Sequence, residues 1–254
     1  MQVITLGVGS SAGTPVIGCD CATCMSSNAR NKRTRCSVAV ETDSGAVILI
    51  DTGPDLRLQA LRENIRRVDA VLYTHVHADH LNGIDDLRAF CQLNRIRIPL
   101  YGNAHTMDNI KQRFGYTIRE AGERWDIPIL GANEVNAPFQ ACGEQITPIP
   151  LMHGRSEILG WRIGDFAYLT DVSEIPASSL ALLQGLEVLF LDCLRHKPHH
   201  THINVEQSKA YASQIAAGST YLIHMTHELE YEALGAELPD NVYVGYDGLR
   251  LALL

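Results

Sequence analysis

The chain has 254 residues, enough for one large domain or two small ones with ample core. Its 21 Lys and Arg against 29 Asp and Glu leave a formal charge of −8, which argues against a surface built as a whole to hold nucleic acid or anionic membrane. Hydrophobic residues at 46% with 20 Gly and 10 Pro exclude disorder and collagen-like repeats, and the composition leaves eleven histidines as its one oddity.

In chain order, the first residues, Met1-Gln2-Val3-Ile4-Thr5-Leu6-Gly7, lack the basic start and long apolar stretch of a signal peptide. The longest apolar runs are of strand length, far below the roughly 18 residues of a membrane span, so a cytoplasmic protein without membrane contact is expected. Short β-branched runs predict strands over 3–8, 37–41, 46–50, 70–73, 146–151, 166–169, 188–191, 221–223 and 242–244. Helical patterns lie between them over 54–65, 84–93, 106–114 and 205–216, the last opened by Asn204 and Gln207 in capping-box spacing. Several strands are consecutive and no linker or repeat divides the chain, which predicts one domain over 1–254 with two sheets and helices outside. The stretch 102–139 is otherwise poorly patterned.

The residues at the strand ends are more regular than the strands themselves. Six runs end in a metal-compatible side chain: Asp51, His75, His153, Asp171, Asp192 and His224. Strand ends on one sheet edge converge, and a crevice there is a common place for a site. The segment His75-Val76-His77-Ala78-Asp79-His80 adds three imidazoles and a carboxylate just after a strand. Residues 75 and 77, two apart in extended chain, share a side, and a turn beyond can aim Asp79 and His80 at a neighbouring point. Such ligands suit zinc, manganese or iron.

Seven cysteines is an odd number, and Cys19, Cys21 and Cys24 sit too close together for a disulfide framework. Three thiolates are one short of a closed tetrahedral zinc site, with Cys36 and His227 as candidates for the fourth ligand. The run 28–35 holds Arg30, Lys32, Arg33 and Arg35 and reads as a solvated basic face with some capacity to hold a phosphate. The histidines 196, 199, 200 and 202 precede the helix capped by Asn204, and the bland reading of that run is an exposed loop.

The H-x-H-x-D-H motif at 75–80, the strand-ending Asp51-Thr52-Gly53, and His153, Asp171 and His224 in that order resemble the metallo-β-lactamase fold superfamily over nearly the whole chain. The resemblance implies an αββα sandwich of two mixed sheets with a dinuclear site at one edge. It implies that His75, His77 and His153 hold one ion, that Asp79, His80 and His224 hold the other, and that Asp171 bridges them. Asp51 and Asp247 would orient the ligand histidines.

The C-x-C-x-x-C insert, at about 18–36, and the run His224-Met225-Thr226-His227 are similar to the PhnP-type cyclic phosphodiesterases within that superfamily. This resemblance implies a structural zinc on Cys19, Cys21, Cys24 and His227, with Cys36 as the runner-up ligand, and a catalytic role for His202 just before the capped helix. The cofactors implied are two divalent ions, Mn or Zn, and one structural Zn. Two ions of charge +2 with two carboxylates and a bridging hydroxide net about +1, which suits a monoanionic phosphodiester attacked in line by that hydroxide. The partner expected is a small phosphorylated substrate, of the phosphoribosyl 1,2-cyclic phosphate or 2′,3′-cyclic nucleotide type. Nucleic acid is disfavoured; homodimers occur in the family, and no feature here demands one. The rival readings are a tRNA-processing nuclease resembling RNase Z, a lactone or thioester hydrolase, and a non-catalytic zinc-stabilised protein resembling PqqB.

Overall fold

The computed structural model describes residues 1–120 and 127–253. The chain first lays down β1 (Gln2–Gly7), β2 (Ser37–Glu41) and β3 (Val47–Ile50) as antiparallel neighbours, then adds β4 (Ala70–Leu72), β5 (Ile98–Gly102) and β6 (Leu130–Glu134) parallel to β3. The second half repeats that plan. Strands β7 (Phe139–Ala141), β8 (Glu144–His153), β9 (Ser156–Ile163) and β10 (Phe166–Leu169) are antiparallel in turn, and β11 (Val188–Asp192), β12 (Ser219–Ile223) and β13 (Val242–Val244) run parallel to β10. Strand β14 (Arg250–Ala252) returns to pair with β1, so the described residues form two seven-stranded mixed sheets.

Both sheets are covered on both faces, and strand periodicity shows how. In β3, Ile48 and Ile50 point into the layer between the sheets, where they join Trp161, Phe166, Tyr168 and Phe190. Val47 and Leu49 point the other way. There they meet α2 (Leu56–Glu63), α4 (Leu87–Asn94) and α5 (Ala104–Phe114) through Leu56, Phe90 and Ile110. On the far side α6 (Ala177–Ala181) and α7 (Val205–Ile215) cover the second sheet, with Ala212 and Ile215 against Leu189 and Leu191. The result is the expected αββα sandwich, and its parallel strands read as continuous apolar runs because neither face meets water. Two short helices, α1 (Ala22–Met25) and α3 (Ala78–Leu81), sit in loops at the site edge, and α8 (Tyr231–Gly235) packs near β13. No helix among the described residues is long and apolar enough to cross a membrane.

Expected and observed elements differ where tertiary contact overrides local signal. Strand β9 contains Gly160, which reads locally as a break. In place, a Cβ there would lie 2.5 Å from Leu169 Cδ2 and 2.9 Å from Leu151 Cδ1, so glycine is what lets β8, β9 and β10 close up. Strand β5 carries Pro99, and β6 is polar at its end; β5 forms on the parallel edge of β4, and β6 on that of β5. Part of the weakly patterned 102–139 stretch becomes α5 and β6, and residues 121–126 lie outside the described residues.

The capping box before α7 forms as the spacing suggests: Asn204 Oδ1 accepts from Gln207 N at 3.0 Å and Gln207 Oε1 accepts from Asn204 N at 3.0 Å. Replacing Asn204 with Ala should lower stability by about 1 kcal/mol, read as a lower urea midpoint at unchanged slope.

Candidate metal centre and active site

The convergence expected at the strand ends is present. Asp51 follows β3, His75 lies just beyond β4, His153 closes β8, Asp171 lies just beyond β10, Asp192 closes β11 and His224 follows β12. Three of these, Asp51, Asp171 and His224, have φ of 61°, 58° and 58°, the left-handed region that non-glycine residues rarely adopt. The same turn at the same place on three parallel strands indicates strain held for a purpose: it folds each side chain back over the sheet edge.

The loop 75–80 is pinned by glycines at close approach. A Cβ on Gly53 would lie 2.0 Å from Asp79 O, and one on Gly83 2.0 Å from Gly53 O. With the loop seated, Asp51 becomes its anchor. Asp51 accepts from Thr74 N and Thr74 Oγ1, both at 2.8 Å, and from His80 Nδ1 at 2.7 Å. His80 therefore carries its proton on Nδ1 and turns Nε2 inward. His153 is oriented alike, its Nδ1 donating to Asp171 O at 2.8 Å and Thr201 O at 3.0 Å. These are the outer hydrogen bonds that set a ligand imidazole's tautomer.

The inward atoms include the two expected sets, and His202 forms a further group with Asp171 and His224. One ligand atom each from His75, His77, His153 and Asp171 lies within 4.8 Å of the others, and so do those of Asp79, His80 and His224. Asp171 stands between the sets, with Oδ2 3.1 Å from His80 Nε2 and Oδ1 3.4 Å from His224 Nε2. The donor chemistry fits cations. His80 Nε2 and His224 Nε2 are buried with no hydrogen-bond partner, and His75 Nε2 lies 3.0 Å from His77 Nδ1. Buried imidazole nitrogens left without a hydrogen-bond partner beside carboxylates are a donor set that fits a cation.

Electrostatics say the same. Burial would raise Asp79 and Asp171, but His80 and His224 beside them hold both carboxyls well below their ordinary value. Burial would lower His80, but Asp171, Asp79 and Asp51 outweigh it and raise it well above the usual imidazole range. Burial and the neighbouring His80 push His75 down, keeping it neutral. A cation held among these groups would take the place of the His80 proton.

His202, expected from the resemblance to be catalytic, is buried beside this centre. Its ring stacks on His224 at 4.8 Å, its Nδ1 lies 3.2 Å from Asp192 Oδ2, and its Nε2 lies 3.9 Å from Asp171 Oδ1. Val172 N donates to Asp192 Oδ2 at 3.0 Å, and the other oxygen of Asp192 is 3.4 Å from His224 Nδ1. Asp192 thus orients a ligand and the candidate acid together. Its place at a strand end marked it as site-bound in the sequence; its two partners were not legible there.

The cysteine insert closes as expected. His227 Nδ1 lies 3.3 Å from Cys19 Sγ, 3.3 Å from Cys21 Sγ and 3.5 Å from Cys24 Sγ, close to the roughly 3.5 Å edges of a tetrahedron with zinc bond lengths. The Cys24 N–H donated to Cys21 Sγ, with His227 nearby, lowers the Cys21 thiol to about 6, near the thiolate form a metal needs. Cys36 is buried in the core between the sheets, outside this cluster, so the runner-up ligand is set aside.

Two further expectations are corrected. Asp247 touches no histidine: it accepts from Val8 N at 3.1 Å and from Thr34 N and Oγ1 at 2.8 and 2.6 Å, and pairs with Arg62, so it ties the N-terminal loops to the chain's end. The basic run 28–35 is a solvated face only in part: Arg30 and Lys32 are exposed, while the other two turn inward. Arg33 is 1% exposed and donates to Thr226 O at 3.0 Å, with burial pushing its guanidinium down to about 10. Arg35 pairs with Asp55, Lys32 donates to Cys24 O, and Arg30 lies over Tyr231 and Tyr246. Of the histidines read as surface residues, His105, His196 and His200 are exposed, but His199 is half-buried and lines a cleft of about 340 Å³ with His202, His224, Arg195 and His227.

Residues 47–225 match the beta-lactamase superfamily domain. A solved structure described as a new diphosphatase from the PhnP family superposes with TM-score 0.92 at 42% identity, covering 100% of this chain and 98% of that one. The chain belongs to the metallo-β-lactamase superfamily and to its PhnP-like group. It has the metallo-β-lactamase fold, with residues fit to bind divalent metal such as zinc. An octanoyltransferase of Porphyromonas gingivalis is 40% identical over 98% of this chain, which covers 51% of that protein. Coenzyme PQQ synthesis protein B of Xanthomonas axonopodis pv. citri is 26% identical over 76% of the chain and 72% of its own length. The chain spans about half the length of the first curated relatives it matches. Zinc-bound PqqB from Methylobacterium extorquens shares the fold at TM-score 0.82 and 21% identity, over 100% of both chains.

The donor sets lead to two expected outcomes. Cys21→Ser should remove one tightly held zinc per chain by elemental analysis after mild chelation; an unchanged count would refute the cluster as a zinc site. Because a bound cation must displace the His80 proton, affinity of the histidine centre should rise by roughly tenfold per pH unit for each proton displaced. Competition titration with a chromogenic chelator at pH 6, 7 and 8 measures this, and a flat profile would contradict it.

Proposed function

We propose that the chain is a metal-dependent phosphodiesterase acting on a small cyclic phosphodiester, of the phosphoribosyl 1,2-cyclic phosphate or 2′,3′-cyclic nucleotide type. The observation that carries this reading is His202. Seven side chains already provide two ligand sets joined by Asp171, so an eighth polar group beside Asp171 and anchored from behind by Asp192 has work to do on the substrate. The PhnP-family diphosphatase, similar over this whole chain, supports phosphoryl chemistry.

Two divalent ions at the centre would supply Lewis acidity and a water nucleophile ionised near neutral pH. The protein's own part is positional. His75, His77 and His153 present nitrogens to one side of Asp171, and Asp79, His80 and His224 face the other. Asp51 keeps the His80 ring from rotating, and Asp192 holds His202. His202 shares its Nδ1 proton with Asp192 and offers Nε2 toward the phosphoryl group. Protonated there, it hands a proton to the departing alkoxide; neutral, it donates none and the leaving group departs as an anion at greater cost. Two details favour a small substrate over a folded RNA: the chain's −8 charge and the inward use of Arg33 and Arg35.

Metal-replete protein should hydrolyse bis(p-nitrophenyl) phosphate and cyclic nucleotides, and Asp79→Ala should abolish this with the fold intact by circular dichroism. His202→Ala should lower kcat by about 10²- to 10⁴-fold with metal content retained. Turnover of a lactone, thioester or precursor-tRNA panel with none of any phosphodiester would sink the reading.

A further inference from the structure

The imidazoles of the two ligand sets have an oxygen behind them, with one exception. The outer nitrogens of His75, His80 and His153 meet Thr74 Oγ1 at 2.9 Å, Asp51 Oδ2 at 2.7 Å and Asp171 O at 2.8 Å. Asp192 Oδ1 lies 3.4 Å behind His224 Nδ1. His77 has no such partner among the described residues. Its ring is exposed and turns Nδ1 toward His75 Nε2 at 3.0 Å, which leaves Nε2 on the side away from the centre. Nδ1 is the ring nitrogen nearer the backbone, and with nothing gripping the far side of the ring its place is set by the main chain at 76–77. That stretch is the entry to α3, where His77 is the N-cap residue and its side chain makes no cap bond.

Arg113 holds the main chain there. From the last turn of α5 its Nη1 donates to Val76 O at 3.3 Å, and its Nη2 donates to Asn82 Oδ1. Val76 precedes α3 and Asn82 is its C-cap residue, so one planar guanidinium spans the four-residue helix that carries Asp79 and His80. The guanidinium is steadied one turn back by Asn109 Oδ1 at 3.1 Å, and α5 is seated in the protein by Thr106, Met107 and Ile110. These three partners are neutral oxygens, and Arg113 forms no ion pair among the described residues. We propose that Arg113 is a positioning residue of the histidine centre: by clamping both ends of α3 it fixes the backbone from which His77 presents Nδ1 to a divalent ion. A clamp and a plain charge predict opposite signs. A cation beside the centre repels another, so on charge alone its removal tightens metal binding. Removal of a clamp weakens it.

The test titrates the full chain, freed of metal at the histidine centre by mild chelation, with Zn²⁺ by calorimetry and with Co²⁺ by visible absorption. Arg113→Met should weaken binding at the centre by about tenfold and change the Co²⁺ spectrum, with the zinc held by the cysteines unchanged. Arg113→Lys keeps the charge but cannot fork across two oxygens, and it should recover the loss only in part. Asn82→Ala removes one arm of the clamp and no charge, and it should weaken binding in the same direction; it carries the comparison if Arg113→Met loses its fold by circular dichroism. In a His77→Ala background, Arg113→Met should add less than about twofold, because the ring it positions is gone. Tyr116 donates to Asp85 Oδ1 at 2.7 Å from just beyond the same end of α5, so Tyr116→Phe is the control and should leave affinity within about twofold. Unchanged or tighter binding in Arg113→Met overturns the clamp, as does an equal loss in Tyr116→Phe or a loss undiminished in the His77→Ala background. Wild-type protein that takes up neither ion at the centre overturns it too. Because the readout is metal binding, the result is independent of the phosphodiesterase reading.

Discussion

Three carboxylates, Asp51, Asp171 and Asp192, are buried to 2% exposure or less at the edge where the two sheets meet. Charges so far from water are costly unless matched, and here each is matched by imidazole: Asp51 by His80, Asp192 by His202 and His224, Asp171 by His80, His75 and His224. The lattice has more nitrogen lone pairs than protons to fill them once the pH is neutral, and cations complete it. Most other features of this edge serve that matching. The left-handed turns after β3, β10 and β12 deliver the groups, the glycines at 53 and 83 let the loop 75–80 descend onto Asp51, and the two sheets bring together halves of the site that are more than a hundred residues apart in sequence.

The cysteine cluster extends the same logic beyond the centre. His224 and His227 belong to one short segment whose middle, Met225, is buried and bonded to Val8 O. Tying His227 to three sulfurs at one end and His224 to Asp192 at the other leaves that segment little freedom. Arg33 reinforces it by donating to Thr226 O from within the protein. A basic run in an acidic chain is thereby committed to architecture: one arginine on a carbonyl, one on Asp55, one between two tyrosines.

The range of each interaction decides how much of it could be read from the sequence. The ligands were legible because six strands end alike and because H-x-H-x-D-H is compact; local spacing carried them. The capped helix at Asn204 was legible for the same reason. Partnerships across the fold were not. Asp247 and Asp192 are both strand- or loop-associated aspartates near the chain's second half, and only the pairing of β11 with β12 puts Asp192 under His202 and His224. Asp247 instead meets Thr34, 213 residues away. Strand β9 was missed because Gly160 is there for a contact with Leu151 and Leu169, which a local reading counts as a breaker.

The histidines that remain divide by what their second nitrogen does. In His80 and His153 one nitrogen donates to oxygen, which aims the other at the centre and makes those rings candidate ligands. In His199 the relation is reversed: Nδ1 accepts from Thr201, so the ring offers a proton and not a lone pair. A neutral ring that donates is of no use to a cation and suits an anion. The change between the candidate ligand rings on one side of His202 and His199 on the other therefore separates rings that turn a nitrogen to the centre from a ring whose Nδ1 is taken up by its own loop. The cleft's own boundary, from His224 to Arg195, follows that change.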